Sequence, residues 1–251
     1  MCGFERTSQP TAIFSTACSG TAMFTSDGLW LNPASLGMIS SFRASIHYAP
    51  SPFDLRQLSN YGMMISQNFV FLNAAVGLQS LGFSLYRESV GSFGTAAMIT
   101  EEFSAGVTVH LYHLSIEKYG SSLTAVIDAG AICSVTDQMN VGVVVQNITS
   151  SSFGADDDIP QLLISGISYR LLEETVINID LVKDIRYALT YRVGLEFSPM
   201  EIISLRAGTE GASSRLFAGV GVHVSSIQVN YGVASHPELG LTHSIGITFR
   251  P

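Results

Sequence analysis

The stretch Tyr187-Ala188-Leu189-Thr190-Tyr191-Arg192-Val193-Gly194-Leu195-Glu196-Phe197 alternates from end to end. Successive side chains of an extended chain point to opposite sides. Tyr187, Leu189, Tyr191, Val193, Leu195 and Phe197 therefore share an apolar face with aromatic ends. The other face, from Ala188 through Arg192 and Gly194 to Glu196, is small or polar. The pattern repeats toward the C-terminus. Ile203, Leu205 and Ala207 oppose Ser204, Arg206 and Gly208, and Leu216, Ala218, Val220, Val222 and Val224 oppose Arg215, Gly219, Gly221 and His223. Ile227, Val229, Tyr231 and Val233 then oppose Gln228, Asn230 and Gly232. The last segment sets Leu241, Ile245, Ile247 and Phe249 against Thr242, Ser244, Gly246, Thr248 and Arg250.

A soluble sandwich also alternates, but its second face meets water and favours Lys, Glu, Thr and Arg. Here that face is rich in Gly and Ser with isolated charges, which fits a narrow, filled lumen. The apolar face with its Tyr and Phe fits lipid and an interfacial aromatic girdle. Composition agrees: the 251 residues carry 12 Lys plus Arg, 20 Asp plus Glu and a net charge of -8. Only 13% are charged, about half the roughly 25% of a soluble domain, and mean hydropathy is +0.34. No run reaches the ~18 apolar residues of a spanning helix. With no basic run, phosphate recognition and hence nucleic acid are excluded.

Working upstream, period two predicts strands over residues 42–48, 61–65, 76–85, 96–101, 107–116, 123–135, 141–148, 163–169 and 177–181. Parity changes near Gln79-Ser80 and Tyr112-His113 predict β-bulges there. The whole is an all-β, transmembrane antiparallel β-barrel of about 14 strands, the architecture open to strands that cross lipid. Residues 1–40 form an N-terminal plug segment and residues 41–251 the barrel, as one domain. The final Leu241, Ile245, Ile247 and Phe249 match the alternating, aromatic-closed strand read by the bacterial barrel-assembly machinery, with His243 interrupting and Arg250-Pro251 following. Met1 to Gly20 lacks the basic start and apolar core of a secretory signal, and Cys2 without them does not mark a lipoprotein. Cys2, Cys18 and Cys133 form no framework or zinc pattern.

No enzyme constellation emerges. The glycines form no GxGxxG or phosphate loop, and the six His residues are scattered, with His110 and His113 on opposite strand faces unless a bulge intervenes. Asp156-Asp157-Asp158 lacks the spacing of a calcium loop and reads as a solvated turn. No cofactor or metal is called for. Asp128, Asp180, Arg192, Glu196, Arg206 and Arg215 project into the lumen on this alternation. They form either a ladder of ion pairs holding strands and plug or a polar route.

Gly28-Leu29-Trp30-Leu31-Asn32-Pro33-Ala34-Ser35-Leu36-Gly37 resembles the N-terminal region of FadL-like outer-membrane proteins, particularly the PorV/PorQ family. The likeness continues through Ile127-Asp128-Ala129-Gly130, Gly142 to Asn147, Pro160 to Arg170, Gly194-Leu195-Glu196-Phe197 and Leu205-Arg206-Ala207-Gly208. It ends on Tyr231 to His243. It implies a hatch inside a 14-stranded barrel in the bacterial outer membrane and a non-enzymatic passage of small hydrophobic compounds. Its partners would be outer-membrane lipids and the barrel-assembly machinery. The alternative is an accessory of type IX secretion that docks cargo C-terminal domains, and a soluble β-module is the third reading. Phe24, Leu29, Trp30, Leu31, Asn32 and Pro33 are the candidate ligand path. Pro33 also biases Asn32 toward an extended backbone, so the pair equally serves to turn the plug into the first strand.

Overall fold

The computed structural model describes residues 9–153, 158–211 and 213–251. Within these, fourteen strands form one closed barrel. They are β1 Arg43–Ala49, β2 Asn60–Asn68, β3 Asn73–Gly82, β4 Tyr86–Met98, β5 Phe103–Ile116, β6 Gly120–Thr136 and β7 Met139–Gln146, then β8 Leu162–Leu172, β9 Thr175–Asp184, β10 Thr190–Met200, β11 Ile203–Glu210, β12 Arg215–Val224, β13 Ile227–His236 and β14 Gly240–Phe249. Each pairs antiparallel with its chain neighbours, and β1 closes on β14 through Ile46↔Ile247. No helix among the described residues is long and apolar enough to cross a membrane.

The apolar face of nearly every strand points away from the centre. Ile46, Val76, Phe93, Leu111, Ile167, Ile179, Leu205 and Ile247 are all 40% exposed or more, the inverse of a soluble sandwich, whose apolar faces meet inside. A closed sheet with no edge and an apolar exterior is the form that crosses hydrocarbon. The C-terminal strand follows suit, with Leu241, Ile245, Ile247 and Phe249 outward. His243, the interruption, shares that outer face and accepts or donates a 2.7 Å hydrogen bond with the Tyr231 hydroxyl.

The two ends differ. One carries the start of β1, the end of β14 and the short connections 69–72, 99–102, 137–138, 173–174, 201–202 and 225–226; the other carries 50–59, 83–85, 117–119, 147–161, 185–189, 211–214 and 237–239. Short turns at one end and longer loops at the other are the habit of outer-membrane barrels. The wall is also uneven: β6 has 17 residues but β7 only 8, short of the roughly 9–11 that cross a bilayer. Pairing of β6 with β7 begins at Ala129↔Val145. Above it, Ile148 N–H donates to the Ile127 carbonyl at 2.8 Å and Ser151 Oγ to the Ala125 carbonyl at 2.6 Å.

Several local expectations are corrected. The strand predicted over 96–101 straddles a turn; the true strand, β4, covers Tyr86–Met98 and was hidden because Val90 and Tyr86 turn inward. Tyr187 and Leu189 precede β10, in a turn where Arg186 N–H donates to Asp184 Oδ1 at 2.8 Å. Neither predicted bulge exists: β3 holds register through Gln79 and Ser80, and β5 through Tyr112 and His113. The parity breaks instead mark inward apolar residues, Leu81 in one case and Tyr112 and Leu114 in the other. The real register shifts lie beside the short turns, at Ser134/Thr136, Arg170/Leu172 and Phe197/Met200. Cys2, Asp156 and Asp157 lie outside the described residues.

Placing a charge at mid-wall tests the lipid-facing assignment. Ile179→Arg is expected to cost about 2–4 kcal/mol of barrel stability in liposomes, the depth-dependent range for a lipid-facing Arg. Tyr119→Arg, in a loop-end turn, is expected to change it little, as read by urea unfolding.

Candidate functional site: the plug and the lumen it divides

Residues 9–42 fill the middle of the barrel. They form one α-helical turn, Thr11–Phe14, and two 3₁₀ turns, Ser26–Trp30 and Pro33–Met38, with most residues buried. The inward glycines make the space. A Cβ on Gly142 would stand 2.5 Å from the Thr21 carbonyl oxygen, one on Gly106 2.6 Å from the Pro33 carbonyl carbon, and one on Gly208 2.6 Å from that of Thr16. The lumen is thus shaped to the plug's main chain at these positions and to its side chains at others, as where a Cβ on Gly77 would meet the Trp30 ring and one on Gly130 would meet Asn32 Oδ1.

A backbone buried this way needs hydrogen-bond partners. Asp180, fully buried, accepts from Gly20 N–H at 3.0 Å, from Thr21 N–H at 3.1 Å and from Thr21 Oγ1 at 2.8 Å. Asn73 Nδ2 donates to the Leu36 and Gly37 carbonyls at 2.7 and 2.8 Å, Ser104 Oγ to Ala34 at 2.7 Å, and Gln146 Nε2 to Leu31 at 3.1 Å. Trp30 Nε1 donates to Ser92 Oγ at 3.0 Å, and Thr11 Oγ1 pairs with Ser244 Oγ at 2.8 Å.

The six plug candidates divide by role. Leu29 and Trp30 are buried in an apolar cluster with Leu36, Ile39, Met64, Ala75 and Ala96. Leu31 is buried outside that cluster, its side chain close to Gly20. Asn32 is an N-cap: its backbone is extended, its Oδ1 accepts from Ala34 N–H at 3.0 Å, and its Nδ2 donates to the Thr21 carbonyl at 2.7 Å. Pro33 occupies the first position of the following turn, where its missing N–H costs nothing. Phe24 lies lower, on a cavity described below.

The six inward charges do not form a simple ladder. Arg206 pairs closely with Glu196, Nε to Oε2 at 2.9 Å, and its Nη1 donates to Asn230 Oδ1 at 2.9 Å. Arg215 reaches Glu210 at 4.0 Å and lies 4.9 Å over the Phe217 ring, which in turn meets Phe14 of the plug edge-on at 5.5 Å. Arg192 faces Asp180 across the β9–β10 pairing. Asp128 and Asp180 spend their oxygens on backbone N–H groups and on a histidine, holding a loop and the plug in place.

The two sides of the plug are unlike. Toward the loop end the inner wall is apolar: Tyr112, Leu114 and Val126 are buried with Ile159, and Tyr86, Val90, Ile116 and Phe153 pack against them. Toward the short-turn end lies a polar cavity of about 260 Å³, with Asp27, Arg43, Glu196, Arg206, Gln228, Asn230 and Arg250 in its wall. Burial pushes the Asp27 carboxyl up from its ordinary range, opposed by Arg250, Arg43 and Arg206. Arg43 Nη1 donates to Ser26 Oγ at 3.3 Å and Arg250 to Gln228 Oε1, so this floor ties plug to strand ends. No cluster of three His, Cys, Asp or Glu placed for a metal occurs among the described residues.

Sequence reasoning missed the apolar upper wall, because its residues sit where polar ones were expected. It also missed Ser92 and His110 as partners; only their place on the small, polar face signalled them. The same barrel-and-plug fold recurs among solved structures. The CymD monoaromatic hydrocarbon channel superposes with a TM-score of 0.79 at 13% identity, covering 99% of both chains. A Pseudomonas aeruginosa FadL homologue gives 0.68 at 12% identity, over 96% of this chain and 98% of the other. The Pseudomonas putida toluene transporter TodX gives 0.62 at 12%, over 92% and 94%. No family model and no curated protein sequence matches the chain. The chain shares its fold with these outer-membrane barrels.

Removing the plug's main anchor gives a direct test. Asp180→Ala strands three buried donors, each costing about 1–3 kcal/mol when unpaired. Faster protease cleavage within residues 9–42 is expected, with heat-modifiable migration of the barrel retained on a gel.

Proposed function

We propose that this chain is a non-enzymatic channel of the bacterial outer membrane that passes a small hydrophobic compound past its plug. The observation that carries the reading is the apolar inner wall on the loop side of the plug. A water-filled pore is lined with polar groups, whereas Tyr112, Leu114 and Val126 offer the interior surface that pockets for apolar ligands use. Below it the path meets Leu29, Trp30 and Leu31, then Asn32 and Pro33 at the turn, with Phe24 on the lower cavity. The inward charges Arg206, Glu196, Asp180 and Asp128 hold this assembly and do not form the path. The structural relatives described as hydrocarbon or toluene channels support the same chemistry.

The short β7 places a lateral exit at this level. Above Gln146, Ile148 and Ser151 bond to β6 in place of a paired strand, so a compound against the apolar upper wall meets a thin barrier toward lipid there. Narrower kinship with PorV and PorQ rests on sequence resemblance alone. Docking of secretion cargo would need an elaborated surface at the loop end, where every connection but 50–59 and 147–161 has five residues or fewer.

Uptake of radiolabelled toluene by bacterial cells expressing the chain tests the reading. Saturable uptake above that of cells lacking it is expected, together with recovery of the protein in the outer-membrane fraction. Leu114→Asn is expected to lower the initial rate about tenfold, the equivalent of ~1.4 kcal/mol, at unchanged barrel abundance. Uptake no better than in cells without the protein would remove the reading.

A further inference from the structure

We propose that Ser92, His110 and Asp128 are positioning residues that couple the loop-end connection to the seat of the plug. They form one buried hydrogen-bond chain across adjacent strands. At its plug end, Trp30 Nε1 donates to Ser92 Oγ at 3.0 Å. Ser92 Oγ lies 2.7 Å from His110 Nδ1, and His110 Nε2 lies 3.2 Å from Asp128 Oδ2. At its loop end, Asn147 N–H donates to Asp128 Oδ1 at 2.9 Å. Ser92 is 5% exposed, His110 1%, Asp128 2% and Asn147 0%, so no link exchanges freely with water.

The polarity of the chain is consistent along its length. With Nε2–H donating a hydrogen bond to Asp128 Oδ2, Nδ1 accepts one from the Ser92 hydroxyl, and the Ser92 oxygen accepts one from the indole N–H. The arrangement has the members of a hydrolytic triad but not its use. Trp30 donates to Ser92 Oγ from within the plug, and the hydroxyl is sealed from any acyl compound.

Both ends lie where movement matters. Asn147 has φ of +56°, a backbone that strains residues other than Gly and Asn. It organises its loop by donating Nδ2 to the Ile159 carbonyl at 2.9 Å and accepting Ser151 N–H at 2.8 Å. Ile159 is thereby seated against the apolar upper wall, on Tyr112, Leu114 and Val126. Trp30 packs edge-on to His47 at 5.8 Å and would meet a Cβ at Gly77, so it is wedged between plug and wall. Polar networks in low dielectric hold their members in concert. A change that unseats Ile159 therefore loosens Asn147, Asp128, His110 and Ser92 in turn, and frees the indole.

The chain has one Trp, so a single indole N–H signal reports the plug end. In ¹⁵N-labelled protein purified in detergent, Asn147→Ala is expected to speed indole N–H exchange about tenfold, within the range of coupling in such networks. The same change in a His110→Phe background, which keeps the Trp30–Ser92 bond but cuts the chain, is expected to alter exchange less than about twofold. Asp128→Asn keeps an acceptor for Asn147 and a partner for His110, and is expected to preserve the response. If His110→Phe gives no heat-modifiable barrel, Asp128→Ala cuts the next link and carries the same expectation. An Asn147→Ala effect that is absent, or equal with the chain cut, overturns the proposal. The readout is Trp30 and not uptake, so a barrel that passes no toluene leaves the coupling standing.

Discussion

A closed wall of fourteen strands encloses more space than its own inward side chains can fill, and the chain answers with a folded segment of its own backbone. Everything else in the structure depends on that segment reaching the wall. Glycines at the inward positions make the approach possible: at Gly106, Gly142 and Gly208 a single methyl group would collide with the plug's main chain. Close packing tolerates such an intrusion poorly, so small residues on one strand face are a condition of the plug and not a neutral filling.

Once the backbone is buried it must be hydrogen-bonded, and here barrel side chains do what secondary structure does elsewhere. Asp180, Asn73, Ser104, Gln146 and Ser92 each reach from a different strand to plug atoms. This explains why the few charges of a low-charge chain are divided between close pairing, as in Arg206–Glu196, and the capping of N–H groups, as at Asp180. Isolated buried charges survive only with such partners. It also leaves the two sides of the plug chemically unlike, with an apolar wall above and an arginine-rich floor below.

Much of the barrel was legible residue by residue. The alternation from Thr190 to Phe249 places β10 to β14 and their inward and outward faces, since strand periodicity is a local property of the chain. The segments 42–48, 107–116 and 163–169 also lie within or close to true strands. The misplaced strand and the false bulges share one cause. Tyr86, Val90, Tyr112, Leu114 and Val126 are apolar yet inward, so a rule that sorts apolar residues outward misplaced β4 and invented a bulge in β5. The candidate site was legible in part: Leu29, Trp30 and Asn32 stood out, but Ser92 and His110 acquire their roles only from cross-strand neighbours more than fifteen residues away.

By itself, then, the sequence determined that the chain alternates, that its two strand faces differ in size and polarity, and that its apolar face exceeds what a water-exposed surface carries. These follow from spacing and composition alone. Only the tertiary structure decided what each inward face meets, because closure of β1 on β14 brings plug, loop and wall to common points that no local pattern encodes. The same polar-looking face becomes backbone clearance at Gly142, a cap at Asp180 and a buried chain at His110, according to which segment lies opposite.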